Sequence, residues 1–264
     1  MQKSEKSIPA QIKGFLFDLD GVFYIGPDLI EGGVETINYL KKNGYPCRFI
    51  TNSSTRSIAT LHRKLVKLGL PIDEHEILTS AKATVLHLRQ MGHPTCFLCV
   101  NDDVRQDFAE IPQTETDPEV VVLGDISDRW DYDILNRMFA MLINGAELIA
   151  MHKGRYWQEP EGLQLDIGAF VAGLEFTTDK TAVVIGKPNP AAFQIALTDL
   201  GLSKAELLMI GDDIINDVGG AQNAGIRAAL VKTGKYREDL VRKASVTPDI
   251  ILDSVADLID LLKA

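Results

Sequence analysis

The chain has 264 residues, 45% apolar and 24% charged, with 27 basic against 37 acidic side chains and a net charge of −10. That length suggests about two domains, or one large α/β domain, and the composition is that of a globular protein able to bury a core without staples. The acidity argues against general binding to nucleic acid or to a membrane surface, because both are polyanionic, and leaves room for a small anionic ligand at a locally positive site.

In chain order, MQKSEKSIPAQIKG has no apolar h-region and no cleavage site, so no signal peptide is expected. No apolar run reaches the ~18 residues that span a bilayer. GFLFDL reads as a strand, VETINYLKKNG as a helix closed by Gly44, YPCRFIT as a second strand and SIATLHRKLVKLG as a helix ending at Gly69. In the middle, TCFLCV, EVVVLG and ELIAM read as strands, with YDILNRMFAMLING a helix between the last two. Cys96 and Cys99 form a C-x-x-C inside the first of these. With no second pair and Cys47 far off, core filling is the better reading than zinc or redox chemistry. Three sparse cysteines suit a reducing, cytoplasmic setting.

After residue 180 AVVIG reads as a strand, and Asn189 with Pro190 supplies the N-cap and first turn for NPAAFQIALTDLG. ELLMIG, RAALV and DIIL are further strands, and SVADLIDLLKA is a closing amphipathic helix. Near-continuous apolar strands separated by helices predict an α/β fold, a Rossmann-like doubly wound parallel sheet covered on both faces. Residues 1–80 and 181–264 are expected to form this core, with 81–180 an inserted smaller α/β domain.

In such a sheet ligands bind outside the carboxyl ends of the strands. After GFLF come Asp18 and Asp20; after CRFI come Thr51, Asn52, Ser53 and Ser54; after AVVIG comes Lys187; after ELLMIG come Asp212 and Asp213, with Asp217 a turn on. Each alone has a plainer explanation. Asp-Gly makes turns, Thr and Asn cap helices, and acids favour helix N-termini. Together they make a set suited to phosphoryl transfer. One carboxylate can be a nucleophile, and a second can protonate the leaving oxygen and activate water. A magnesium ion can neutralise the acids beside a phosphate, while Lys187, the Thr51 hydroxyl and nearby backbone N–H groups hold its oxygens.

DLDGV, ITNSS, GKP and GDDIIND, in that order, resemble the four motifs of haloacid dehalogenase (HAD) superfamily phosphatases. The long insertion between the second and third resembles the class IIA branch, NagD-like and 4-nitrophenylphosphatase-like. GRYW, GKPNP and GDDIINDVGGAQNAG are most similar to the phospholysine/phosphohistidine/inorganic pyrophosphate phosphatase group and its relatives. The resemblance implies a magnesium-dependent phosphatase acting through an aspartyl-phosphate. Asp18 would be nucleophile and metal ligand, and Asp20 general acid/base, with its carbonyl on the metal. Thr51, Asn52, Ser53 and Lys187 would bind phosphate. Asp212 would complete the metal site, with Asp213 and Asp217 behind it. The implied partner is a small phosphorylated substrate or phospho-residue; nucleic acid and membrane are not expected, and a homodimer through the inserted domain is compatible.

A phosphotransferase or phosphomutase, or a receiver-like phosphoacceptor signalling domain, are the competing readings. Asp20 and the insertion fit the last poorly. Substrate choice is expected in the inserted domain, where HKGRYW offers His152, Lys153 and Arg155 to polar groups and Tyr156 or Trp157 for stacking, unless it is only a solvated basic loop. YDILNRMFAMLI is either a buried face or an interface.

Overall fold

The computed structural model describes residues 8–159 and 162–263. The stretch read above for a targeting signal begins in residues 1–7, outside the described residues. No helix among the described residues is long and apolar enough to cross a membrane.

The chain forms two compact units. The first gathers the chain up to Thr51, Leu61–Leu78 and everything from Lys187 on. Its six-stranded sheet has the order Ile250–Leu252, Arg227–Val231, Leu207–Gly211, Gly14–Phe17, Cys47–Thr51, Ile77–Thr79. The pairings among the first five are parallel. Gly14–Phe17 and Leu207–Gly211 are buried along their whole length, as strands covered on both faces must be. Phe15, Phe17, Phe23 and Phe49 fill the core beside them, rings meeting edge-on or stacked. Each such side chain contributes about 1.5–3 kcal/mol by leaving water.

Helix ends follow local chemistry. The Asn189 side chain accepts the Ala191 N–H at 2.9 Å, Pro190 opens the helix Pro190–Leu200, and Gly201 closes it at a φ of 64°. This is the N-cap, proline and glycine sequence expected of a helix.

The second unit holds Asn52–Thr60 and Thr79–Gly186. Its four-stranded sheet runs Val183–Val184, Glu147–Ala150, Val120–Leu123, Cys96–Cys99, all parallel. An antiparallel hairpin, Tyr156–Glu159 with Gly162–Leu165, belongs to the same unit. The core here is Phe97, Cys99, Val121, Leu123, Met138, Leu142, Leu148 and Val171 with their neighbours.

One strand lies elsewhere than expected. AVVIG does not join the larger sheet: Val183 pairs with Ile149, and the ladder continues through Ile185 N–H to the Ala150 carbonyl and Gly186 N–H to the Met151 carbonyl. The burial pattern agrees with an edge position: Val183 is 40% exposed and Val184 half-buried, whereas a doubly covered strand would be buried along its length. Lys187 therefore follows a strand of the smaller sheet, at the residue where the chain re-enters the first unit.

Candidate active site

The strand order makes a crevice. From Gly14–Phe17 the chain proceeds to Cys47–Thr51 on one side, and the later strands Leu207–Gly211, Arg227–Val231 and Ile250–Leu252 build outward on the other. Loops leaving the two central strands diverge, and ligands bind at such a switch point. Asp18 and Asp212 each follow one of those strands directly.

Asp18 is 7% exposed, Asp212 1% and Asp217 0%, and one carboxylate oxygen from each lies within 4.8 Å of the other two. Three buried acids that close need compensation. Lys187, 2% exposed, supplies part of it: Nζ donates to Asp18 Oδ1 and Asp217 Oδ1, both at 2.7 Å. Burial by itself would lower the lysine's pKa, but Asp18 and Asp217 outweigh it and hold the pKa above the ordinary value, so Lys187 stays charged. Burial, with Asp18 and Asp217 as like charges, raises Asp212 well above the usual carboxylate range. Burial likewise raises Asp217 to about 6, against the opposing pull of Lys187.

The hydrogen bonds separate the roles of the acids. Asp217 has both oxygens engaged, Oδ1 by Lys187 and Oδ2 by the Asp213 N–H at 3.1 Å. Asp212 Oδ2 accepts the Lys235 N–H at 2.7 Å, while its buried Oδ1 has no hydrogen-bond partner among the described residues. Asp213 turns away to cap the π-helical segment Ile214–Gly219, accepting from the N–H groups of Ile215 and Asn216, both at 2.9 Å.

Close approach explains two glycines. Gly21 has φ 84°, and a Cβ there would lie 1.9 Å from Asp212 Oδ2; a Cβ on Gly211 would lie 2.3 Å from the Asp217 side chain. Asp20 is exposed, in the turn after Asp18 that leads to the small hairpin Tyr24–Ile25 and Asp28–Leu29. Thr51, 6% exposed, ends its strand, and the half-buried Asn52 and Ser53 follow in the second unit.

The sequence reading missed Lys235. Its backbone holds Asp212, and its side chain, solvent-exposed, keeps a raised pKa because Asp18, Asp212, Asp213 and Asp217 outweigh the cost of partial desolvation. The signal was TGK just beyond RAALV, another carboxyl strand end.

HKGRYW is not a single solvated loop. His152 is 5% exposed, Lys153 pairs with Glu175 at 2.5 Å, and Arg155 is exposed. Tyr156 and Trp157 open a strand and are 51% and 41% exposed.

A family model described as haloacid dehalogenase-like hydrolase matches residues 15–112, and a HAD-hydrolase-like model matches 184–258. The phospholysine phosphohistidine inorganic pyrophosphate phosphatase of Xenopus laevis is 36% identical, covering 96% of this chain and 95% of that protein. Haloacid dehalogenase-like hydrolase domain-containing protein 2 of Bos taurus is 41% identical over 94% and 95%. Among solved structures, 4-nitrophenylphosphatase from Thermotoga maritima superposes with a TM-score of 0.90 at 28% identity, over 96% of this chain and 98% of that one. A protein described as a putative nagD protein gives 0.87 at 27%, over 97% and 100%. With likeness running nearly end to end in both sequence and fold, the chain belongs to the haloacid dehalogenase-like hydrolases, in their class IIA, NagD-like branch.

Proposed function

We propose that this hydrolase is a magnesium-dependent phosphatase that forms an aspartyl-phosphate on Asp18. The observation that carries the reading is the buried Asp18–Lys187–Asp217 bridge beside Asp212, whose Oδ1 has no hydrogen-bond partner among the described residues. A carboxylate oxygen left so in a buried acidic cluster fits a hard cation, which takes oxygen ligands. Asp18, Asp212 and the Asp20 carbonyl would hold it, with Asp217 orienting Lys187 from behind. When bound, the ion offsets negative charge at the phosphoryl oxygens.

The chain's own groups account for the rest. Asp18, held by Lys187, attacks phosphorus; the bond to the leaving oxygen breaks, and that oxygen takes its proton from Asp20. Asp20, now a carboxylate at an exposed position, removes a proton from water. The water oxygen attacks the acyl phosphate, the bond from phosphorus to Asp18 breaks, and inorganic phosphate leaves. Lys187 balances charge throughout, and Thr51 with the backbone of Asn52 and Ser53 holds the phosphoryl oxygens. The second unit serves as the cap that chooses the leaving group, and the three buried, unpaired cysteines suit a reducing cytoplasm.

The relatives' names supply test substrates: pyrophosphate and 4-nitrophenyl phosphate. Phosphate release from either should need magnesium and stop with chelator. Asp18→Asn should abolish turnover, and Asp20→Asn should slow it by ~10²–10⁴-fold, as for loss of a general acid/base. Substantial turnover by Asp18→Asn would sink the mechanism. Release of phosphate without an added acceptor separates hydrolysis from phosphotransfer.

A further inference from the structure

The phosphatase chemistry leaves unused a buried imidazole in the second unit. His152 lies two residues past the strand Glu147–Ala150 and is 5% exposed. Its Nε2 is 3.0 Å from Ser54 Oγ, itself 4% exposed. Its Nδ1 accepts the Gly154 N–H at 3.2 Å and stands 3.8 Å from Asp166 Oδ2. A nitrogen that accepts a backbone N–H carries a lone pair, so in the neutral ring the proton sits on Nε2 and is donated to Ser54. The imidazole thus fixes the serine hydroxyl and leaves the serine's own proton for another acceptor.

The ring is held by backbone that tolerates no side chain. A Cβ on Gly154 would fall 1.9 Å from Asp166 Oδ2 and 3.3 Å from His152 Nδ1, and a Cβ on Gly168 would fall 2.3 Å from the Gly154 carbonyl oxygen. Gly168 N–H closes the arrangement on that oxygen at 2.9 Å, and Asp166 Oδ1 is fixed by the Ile167 N–H at 2.7 Å. Such a cradle specifies one ring orientation, which apolar packing of a histidine would not require.

Ser54 is three residues beyond Thr51, and the intervening loop is tied down at other points in the same unit. Ser80 Oγ donates toward the Ser53 carbonyl at 3.3 Å and the Asn52 carbonyl at 3.5 Å. Asp103 Oδ2 accepts the Ser57 N–H at 2.8 Å, and Asp107 Oδ2 accepts the Ile58 N–H at 3.1 Å.

We infer that His152 is a positioning residue for phosphate binding, acting through Ser54 to set the conformation of the Asn52–Ser54 loop. This rests on the phosphatase reading, in which that loop presents backbone N–H groups to the phosphoryl oxygens. His152 does not meet the leaving group; it governs how firmly the loop grips any phosphate, whatever the substrate.

The test measures 4-nitrophenyl phosphate hydrolysis, and its inhibition by inorganic phosphate, in wild type, His152→Ala, Ser54→Ala, the double variant and His152→Gln. His152→Ala and Ser54→Ala should each raise KM and the phosphate inhibition constant ~10-fold, with kcat changed less. The double variant should be no worse than either single one, because both remove one interaction. His152→Gln keeps an N–H at the ε position and should recover most of the loss; with Ser54→Ala it carries the test if His152→Ala does not fold. Additive effects, or an unaltered phosphate inhibition constant in both single variants, overturn the inference while the wild type still works. A wild type that releases no phosphate overturns the phosphatase reading itself, and this inference with it.

Discussion

Burying an ammonium costs several kcal/mol unless its hydrogens and its charge are both met. Lys187 meets two of its three donors with Asp18 and Asp217 at 2.7 Å each. The arrangement cuts both ways, because the acids need the lysine as much as it needs them. Lys187→Met keeps the length of the side chain and removes the charge, leaving Asp18 and Asp217 buried beside Asp212 without a cation. Unfolding free energy at pH 8 in chelator should fall by ~3–5 kcal/mol, the usual cost of breaking a buried pair. The loss should shrink at pH 5.5, because Asp217, raised to about 6 even with Lys187 beside it, takes up a proton and no longer needs the lysine. Lys187→Arg should not restore activity: a guanidinium is broader, and the site is closed to within 2% exposure. Denaturant titrations at the two pH values check the stability claim, and equal losses at both would count against it.

At the scale of elements, what the sequence made legible and what it hid divide by the source of the signal. Long apolar strands and capped helices are local, and TCFLCV, EVVVLG and ELIAM all appear as strands where their patterns place them. AVVIG is five apolar or small residues with no local cue to which sheet it completes; pairing with Glu147–Ala150 decided that. The hairpin strands Tyr24–Ile25 and Asp28–Leu29 are two residues each, too short for any period to register. YDILNRMFAMLI proves to be both buried face and exposed one: Met138 and Leu142 enter the core, while Tyr132 is 76% and Ile143 56% exposed. The C-x-x-C is an element-scale question too. On the strand Cys96–Cys99 both ends are buried, and burial pushes the Cys96 thiol up to about 11 and the Cys99 and Cys47 thiols up to about 12. Since the thiolate is the reactive form, a thiol reagent at pH 8 should label no cysteine in the folded protein and all three after denaturation. Fast labelling of a folded cysteine would show the strand environment to be wrong.

At the scale of the whole molecule, the four motifs were readable because they stand at the ends of long, well-patterned segments. The third came through for a different reason than expected, since Lys187 reaches the acids from a return crossing, not from a strand of their own sheet. The convergence of the first, third and fourth has a thermodynamic consequence for the entire chain. Unfolded aspartates release protons near 3.8, but in the fold Asp217 holds its proton up to about 6 and Asp212 also holds one well above 3.8. Between those values the folded state binds more protons than the unfolded state, so the stability of the metal-free protein falls as pH rises. A divalent cation held as proposed would bind the deprotonated acids, stabilise most where the cluster is charged, and expel protons on binding. In chelator, therefore, Tm should be lower at pH 7.5 than at 5.5, and magnesium should narrow or reverse the difference. A variant isolates the cluster's share. Asp212→Asn should raise Tm in chelator at pH 7.5 by removing one buried like charge, flatten the pH dependence, and lose most of the response to magnesium. A variant that keeps the wild-type response would place the ion elsewhere. One as unstable in chelator as the wild type would mean that the three acids are not in tension, and that Lys187 alone satisfies them.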